Sequence, residues 1–359
     1  DASAAAIYGV RAANGVVLIT TKKGAKNQKA QITYDGYVGF QKASNVLELC
    51  NAKEYATMML EGNYDAYVSH FKKSIDNYGG SYSDPDFHNW TYNTDNDWYD
   101  QMLRTALITN HSLSIAGGSD KTTYSLGGSY LYQDGIMDVD NNYKRLNFRA
   151  AVDYNATNWL KVGFNGVFSQ SEQQVPNNAA WQKAFNCPPI VALYDKNNDK
   201  AFPNKYGSPD VLGYSSNFYN PIAFAEYYDS KNESYQALTN FYAQIDFIPN
   251  KLNLRSNYSY SFLSTQGREF TPAYYVSSWQ QSTTTKLSKS ENKYYNRIWD
   301  NTLTYNDQFG KHKVGAMVGM SMREEQWRNL NGSASNVPDG EDEYWYIKNG
   351  DATGATVGD

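Results

Sequence analysis

The side chains that most often perform chemistry are spread along this sequence without forming a recognisable constellation. The four histidines are His70, His88, His111 and His312. Their scatter builds neither a catalytic triad nor a metal cluster, and no pair of carboxylates stands out for glycoside hydrolysis. The segment 195–199 has the start of a calcium-loop pattern, but Lys200 and Tyr206 occupy the positions that need Gly and Glu. The sequence therefore predicts no enzyme, no metal site and no cofactor.

Aromatic side chains in the connections between strand-like segments are better candidates for binding. A flat ring can cover the apolar face of a sugar while nearby amides and carboxylates bind its hydroxyl groups. The substrate-binding candidates are Trp90, Trp98, Trp181, Tyr214, Phe218, Tyr219 and Trp279. Each has an alternative role, in which the ring packs its own loop or joins the aromatic girdle of a membrane protein. Trp159, beside a tight turn, is assigned to the girdle.

The composition narrows the class of protein. The 359 residues include 32 Tyr, aromatic residues make up 15%, and the mean hydropathy is −0.68. Many aromatic residues with a low mean hydropathy indicate strands that are apolar on one face only. No run approaches the ~18 apolar residues of a membrane helix, which excludes a helical membrane protein. The net charge of −5 and the lack of a basic stripe argue against nucleic acid. Two cysteines, Cys50 and Cys187, are too few for a disulfide scaffold, and whether they pair is left open.

Alternation of apolar and polar residues with period two is the clearest structural pattern. In the segment 144–155, one face carries Leu146, Phe148, Ala150, Val152 and Tyr154. The opposite face carries the candidates for a water-filled lumen, Arg145, Asn147, Arg149 and Asp153. In a membrane barrel the arginines must face the lumen, because Arg on the lipid side costs ~2–4 kcal/mol near the midplane. A soluble sandwich would instead bury the apolar face. Alternation alone does not separate the two.

The lengths of the connections favour the barrel. We predict strands at about 31–42, 111–117, 122–133, 144–155, 159–170, 234–248, 252–267, 292–308 and 312–324. Tight turns at 118–121, 155–158, 249–251 and 309–311 alternate with long connections at 43–110, 134–143, 171–233, 268–291 and 325–359. Up-and-down barrels of the outer membrane have short periplasmic turns and longer extracellular loops. A helix is also predicted in the first long connection, over 52–64 with Asn51 as its N-cap.

The first 24 residues, DASAAAIYGVRAANGVVLITTKKG, form a distinctive motif. This stretch resembles the closing segment of the plug in SusC-like (SusC/RagA-type) TonB-dependent transporters. The motif positions that match as they stand include Asp1, Ser3, Tyr8, Gly9, Arg11, Asn14 and Gly15. The resemblance continues through Thr109–Ser119, Tyr143–Leu146 and Trp159–Gly163. It covers nearly the whole chain and is densest in residues 1–170.

The resemblance implies an all-β fold, a partial transmembrane antiparallel up-and-down β-barrel that follows the end of a plug domain. Residues 1–26 would close the plug, and residues 27–359 would supply about nine of roughly 22 barrel strands. The family imports oligosaccharides or peptides across the cell outer membrane of Bacteroidota with energy relayed by TonB. A surface lipoprotein of the SusD type usually covers the extracellular loops. The expected partners are thus this lipoprotein, TonB (whose contact segment would precede Asp1), the substrate and outer-membrane lipid.

The plug motif itself has two interpretations. Gly9 and Gly15 permit tight turns, and Arg11 in the lumen would need a carboxylate partner such as Asp35 or Asp153. In the first, the motif only keeps the plug folded and docked; in the second, Arg11 belongs to a network that opens when TonB pulls. Two rival functions are a passive or adhesive outer-membrane barrel and a soluble or surface carbohydrate-binding β-protein.

Overall fold

A single antiparallel sheet dominates the computed structural model, which describes residues 24–82, 90–340, 344–351 and 356–358. Of Trp90 and residues 356–358, only the backbone is described. In chain order the strands are β1 (Gln31–Gln41), β2 (Gly80–Tyr82), β3 (Trp90–Tyr92), β4 (Ala106–Gly118), β5 (Thr122–Asp134), β6 (Asn142–Asn155), β7 (Leu160–Gln174), β8 (Asp229–Ile248), β9 (Leu252–Thr271), β10 (Tyr274–Tyr275), β11 (Gln281–Ser282), β12 (Lys286–Phe309), β13 (His312–Ser335) and β14 (Thr356–Gly358).

The strands of the main sheet pair in the order β1-β4-β5-β6-β7-β8-β9-β12-β13-β14. Each long strand lies beside the next long strand in the chain, which is the up-and-down arrangement. The short hairpins β2-β3 and β10-β11 lie in the long connections. The structure therefore confirms the predicted fold class and all nine predicted strands. The boundary between residues 26 and 27 stays a prediction.

Tight turns alternate with long connections along the sheet, as predicted. Asn250, in the turn between β8 and β9, and Gly310, between β12 and β13, have positive φ of 61° and 60°. Asn and Gly tolerate this left-handed backbone best, which explains why these residue types occupy the turns.

Several strands are longer than predicted at the ends away from these turns. β8 begins at Asp229 instead of residue 234, β12 begins at Lys286 instead of 292, and β13 continues to Ser335 instead of 324. The added residues pair in regular register with their neighbours. Charged and polar residues stand on both faces of these extensions, so the alternation of apolar and polar residues ends before the strand does.

The register brings apolar residues of neighbouring strands onto one face, here called the apolar face. Phe148, for example, pairs with Gly128 on β5 and with Phe168 on β7. Large side chains on this face remain exposed, including Ile32, Leu113, Phe148, Phe241, Tyr258, Leu303, Val318 and Met320. The exposed fraction reaches 73% at Val318 and 71% at Ile32. The apolar rows are therefore not packed in a dry interior, as a soluble sandwich would require.

The buried core lies in the long connections instead. Their helices are α1 (Ala52–Gly62), α2 (Tyr64–Tyr78), α3 (Trp98–Met102), α4 (Ala180–Asn186) and α5 (Pro221–Glu226). Phe71 of α2, Trp98 of α3 and Ala184 of α4 belong to one buried cluster that joins the first and third long connections. The first and third long connections thus fold together as one body, here called the loop cap.

The first helix of the loop cap forms as its sequence predicts. The Asn51 side chain accepts a hydrogen bond from the Glu54 amide at 2.9 Å, and the Glu54 carboxylate accepts one from the Asn51 amide at 3.1 Å. This reciprocal pair is a capping box. The helix ends at Gly62 instead of residue 64, because Asn63 begins α2 by accepting a hydrogen bond from the Ala66 amide.

Among the described residues, no helix combines the length and apolar character needed to cross a membrane.

Candidate binding sites on the polar face of the sheet

The face opposite the apolar one, here called the polar face, carries the four candidates for a water-filled lumen. Arg145, Asn147, Arg149 and Asp153 all occupy odd positions of β6, while Leu146 and Phe148 occupy even ones. The Asn147 amide donates to the Ser129 hydroxyl at 3.1 Å, across the β5-β6 ladder. The side chain of Arg149 lies over Gly127, where an added Cβ would come within 2.7 Å of its Nε. Their role in transport stays a prediction.

Asp153 belongs to a three-residue cluster that spans several strands of the polar face. The Tyr242 hydroxyl donates to the Asp153 carboxylate at 2.6 Å, and the Arg255 guanidinium lies 3.9 Å from the centre of the Tyr242 ring. Gly163 makes this possible, because a Cβ there would lie 2.1 Å from Tyr242 Cε1. The cluster ties β6, β8 and β9 together across β7 and stiffens this part of the wall.

The plug-motif residues Asp1, Ser3, Tyr8, Gly9, Arg11, Asn14 and Gly15 lie outside the described residues, and so does the side chain of Trp90. The two carboxylates considered as partners of Arg11 are described. Both Asp35 of β1 and Asp153 occupy the polar face.

A cavity of about 460 Å³ opens where the polar face meets the loop cap. Gln133 of β5, Tyr143 of β6 and Gln173 of β7 form one row across the sheet and line its floor. Trp181 of α4 lines it from above, because α4 follows β7 after a short connection. The further amides that line it are Asn141, Asn142, Gln174 and Asn178. We call this the Trp181 cavity; its aromatic rings and many amides suit a neutral, hydroxyl-rich ligand.

Three of the aromatic candidates pack the loop cap instead. Trp98 is fully buried, and its indole N–H donates to the Pro188 carbonyl at 3.1 Å. The buried Tyr214 ring stacks on His70 with centres 4.1 Å apart. Burial raises the pKa of its phenol, whose hydroxyl lies 3.1 Å from that of Tyr55. Phe218 packs against Tyr214, 4.9 Å away. Trp98 and Tyr214 are thus buried within the loop cap, and Phe218 is half-buried beside Tyr214. A role of these three residues in substrate binding stays a prediction.

The remaining aromatic candidates stay accessible. Trp181 is half-buried beside Tyr99, with ring centres 5.9 Å apart. Tyr219 is half-buried, and the Lys183 ammonium lies 4.0 Å from its ring centre. Trp279, between β10 and β11, is 55% exposed. Of these three, only Trp181 lines the cavity at the polar face.

An aromatic pair on the polar face of β12 and β13 was missed by the sequence prediction. Tyr294 and Trp327 are directly opposite in the ladder, and their ring centres are 4.3 Å apart. Trp327 is 75% exposed. The predicted strand ends at residue 324, which puts Trp327 in the last long connection. Its even spacing from Arg323 and Glu325, four and two residues, is the signal that the strand continues.

No metal site is apparent in the part of the chain that the structure describes. No group of three or more potential ligands is close enough to hold a metal ion there. Both cysteines are free: Cys50 is exposed and Cys187 is buried. Burial raises the pKa of the Cys187 thiol, which keeps it in the unreactive protonated form.

No family model matches the sequence. Curated proteins do match over most of it. The chain is 29% identical over 329 residues to TonB-dependent receptor P3 of Formosa agariphila, covering 91% of this chain and 30% of the relative. It is 32% identical over 210 residues to TonB-dependent receptor SusC of Bacteroides thetaiotaomicron, covering 57% of this chain and 19% of the relative.

Solved structures share the fold. The RagAB peptide importer in its open-open state superposes with a TM-score of 0.76 at 21% identity, over 100% of this chain and 42% of that one. The closed-closed state gives a TM-score of 0.74, also at 21% identity, over 98% of this chain and 41% of that one. The chain spans about a third of the length of P3 and of a second Formosa agariphila receptor, P26, and a smaller part of SusC.

Proposed function

Because this chain belongs to the SusC-like TonB-dependent receptors, we propose that the whole protein imports an oligosaccharide or peptide nutrient across the outer membrane. The single observation that carries the proposal is a sheet with two opposite faces. One face exposes apolar rows such as those of Val318 and Leu303, and the other carries charged and amide side chains. Such a sheet fits a wall between lipid and water.

The apolar face has the dimensions of a membrane span. On β13 the residues of this face run without interruption from Val314 to Met322, through Val318 in the middle. These nine residues match the ~9–11 that a tilted strand needs to cross the hydrocarbon core. The strand continues to Ser335, so its outer part would stand above the lipid.

The polar face and the loop cap would hold the substrate. The Trp181 cavity lies at the junction of the two, at the end of the strands opposite the tight turns. In a barrel with short periplasmic turns, that end is extracellular. We propose that substrate enters here, that a SusD-like lipoprotein closes over the loop cap, and that TonB supplies the energy. As part of a receptor, the chain is not an enzyme.

The proposal is tested with the full-length protein in its own host. Fluorescently labelled nutrient fractions would be offered to wild-type cells, to cells lacking the receptor, and to cells whose inner-membrane potential has been collapsed. We expect uptake to require both the receptor and the potential. Uptake that persists without the potential would indicate a passive barrel. Recovery of the receptor in the soluble fraction, without detergent, would refute the membrane assignment altogether.

A further inference from the structure

We propose that the polar face carries a binding track for a neutral oligosaccharide, which runs from the Trp181 cavity to an aromatic platform formed by Tyr294 and Trp327. The track rests on the proposed function, and it chooses between the two substrate classes left open there. It also assigns a role to residues beyond the Trp181 cavity.

The platform is held in place by its own strands. Tyr294 and Trp327 are cross-strand neighbours with rings tilted by 41°, and the Tyr294 hydroxyl donates to the Glu325 carboxylate at 3.0 Å. The Tyr294 side chain is therefore held by its contact with the Trp327 ring and by its hydrogen bond to Glu325, and it packs against Trp327 in turn. The exposed face of Trp327 presents a large apolar surface, next to Tyr294 and its other cross-strand neighbour Leu263. A ligand with one flat apolar face and a hydroxylated rim would cover that surface.

Amide side chains continue from the platform along the same face. The Asn331 amide donates to Asn329, and the Asn329 amide donates to Asn292. All three residues occupy the polar face of β12 and β13. An amide group has both donors and acceptors, as a sugar hydroxyl does. A chain of linked amides is thus a pre-ordered surface for hydroxyl groups.

A second cavity lies between these linked amides and the Trp181 cavity. It has a volume of about 560 Å³ and is lined by Asn232, Gly267, Ser290 and Asn331, among others. These four residues form one continuous row across β8, β9, β12 and β13. The same row continues through Gln173 of β7 to Tyr143 of β6, on the floor of the Trp181 cavity. Gly267 keeps the row open, because a Cβ there would lie 2.6 Å from Ser290 Oγ.

The spacing of the two ends requires an extended ligand. From Tyr143 to Ser290 the row crosses four strand intervals, which amounts to about 19 Å at roughly 4.8 Å per interval. Tyr294 lies four residues further along β12, about 13 Å at roughly 3.3 Å per residue. A single sugar unit cannot reach both ends, whereas a chain of several units can.

The charges beside the platform favour an uncharged ligand. Arg323 and Glu325, on the polar face of β13, form an ion pair with each other. The Arg323 side chain also donates to the side-chain amide oxygen of Asn296 at 3.2 Å. The two charges form a neutral pair beside the platform, which gives no preference there for an acidic or a basic substrate.

The backbone at the platform offers a ligand no main-chain hydrogen bonds. Peptides that bind to sheets usually add a strand at a free edge and use its main-chain hydrogen bonds. β12 pairs with β9 on one side and β13 on the other, over almost its whole length. A molecule on this part of the wall meets side chains only. Sugar hydroxyls can be bound by such side chains.

The test uses the purified full-length receptor in detergent and calorimetric titration with neutral oligosaccharides of increasing length and with uncharged peptides. Trp327→Ala is compared with Trp327→Phe, which keeps a ring, and with Leu330→Ala, a control on the apolar face of the same strand. We expect W327A to weaken long oligosaccharides by about tenfold, the value of one aromatic contact, and to leave short ones unchanged. W327F should retain most of the affinity, and L330A should match the wild type.

Two outcomes would overturn the inference. If long oligosaccharides bind the wild type and W327A equally well, Trp327 does not contact the ligand and the proposed track is wrong. The proposal that the receptor imports a saccharide would be unaffected by this result. If peptides bind and lose affinity in W327A, the platform selects the other substrate class. Failure of the proposed function would look different, since receptor-dependent uptake by cells would then be missing for both classes of nutrient.

Discussion

The assignment of the apolar face to lipid and the polar face to water can be tested by substituting arginine on each face of the same strand. Val318 is the middle residue of the apolar run on β13, is 73% exposed, and pairs with Leu303 of β12. Val318→Arg would place a guanidinium near the centre of the bilayer, at a cost of about 2–4 kcal/mol. This corresponds to a loss of roughly 30-fold to almost 1,000-fold in the folding equilibrium.

The matched control is Ser321→Arg on the polar face. Ser321 pairs with Asp300 of β12, so the new guanidinium would face water and lie beside a carboxylate. Both variants of the full-length receptor would be folded into lipid vesicles, and their free energies of unfolding measured by denaturant titration. We expect a loss of about 2–4 kcal/mol for V318R and a change below about 1 kcal/mol for S321R. If S321R lost several kcal/mol of unfolding free energy and V318R lost none, the apolar face would not be the one in contact with lipid, and the reasoning would be wrong.

Two further predictions concern packing. Gly163→Ala should displace Tyr242 and release Asp153, because the added Cβ would lie 2.1 Å from the Tyr242 ring. We expect the free energy of unfolding, measured by thermal unfolding, to fall by about 1–3 kcal/mol. The control Gly128→Ala, whose added Cβ would have its nearest atom 3.8 Å away, should change it little. Trp98→Ala should cost about 3–5 kcal/mol in the loop cap and raise its protease sensitivity, because the ring is fully buried. The same substitution at Trp279, which is 55% exposed, should leave protease sensitivity unchanged; equal effects at both sites would contradict the packing described here.

The strands were predictable because each carries its own signal. In β6, Leu146 and Phe148 alternate with Arg145 and Asn147, and this pattern predicts both the strand and which side chains share a face. The same alternation in β5 and β7 agrees with the observed pairing. The strand extensions were not predictable in this way. Lys231 and Glu233 of β8 lie on the side of the sheet that is apolar further along the strand, yet both are charged. This part of β8 is held by backbone pairing with β9.

The loop cap depends on contacts between distant parts of the chain, which a single sequence does not reveal. Trp98 was a candidate for binding because it is aromatic and lies in a long connection. Its burial depends on Pro188, which is 90 residues away and accepts its indole hydrogen bond. Tyr214 is likewise placed by Tyr55, 159 residues earlier. Trp181 follows β7 closely in the chain, so its place near the end of that strand could be predicted, whereas its packing beside Tyr99 could not. It lines a cavity on the polar face.

The height at which the apolar face ends on different strands is stronger support for a membrane than the amino-acid composition of the chain. On β13 the run ends at Met322, ten residues after the first residue of the strand, and Glu324 follows on the same face. On β6, in a separate hairpin, it ends at Leu146, nine residues before the last residue of the strand, and Lys144 follows. Both distances are counted from a tight turn. A protein partner would have no reason to end the apolar surface at one height on strands so far apart. A lipid layer of constant thickness requires it, since charged side chains must begin where the hydrocarbon ends.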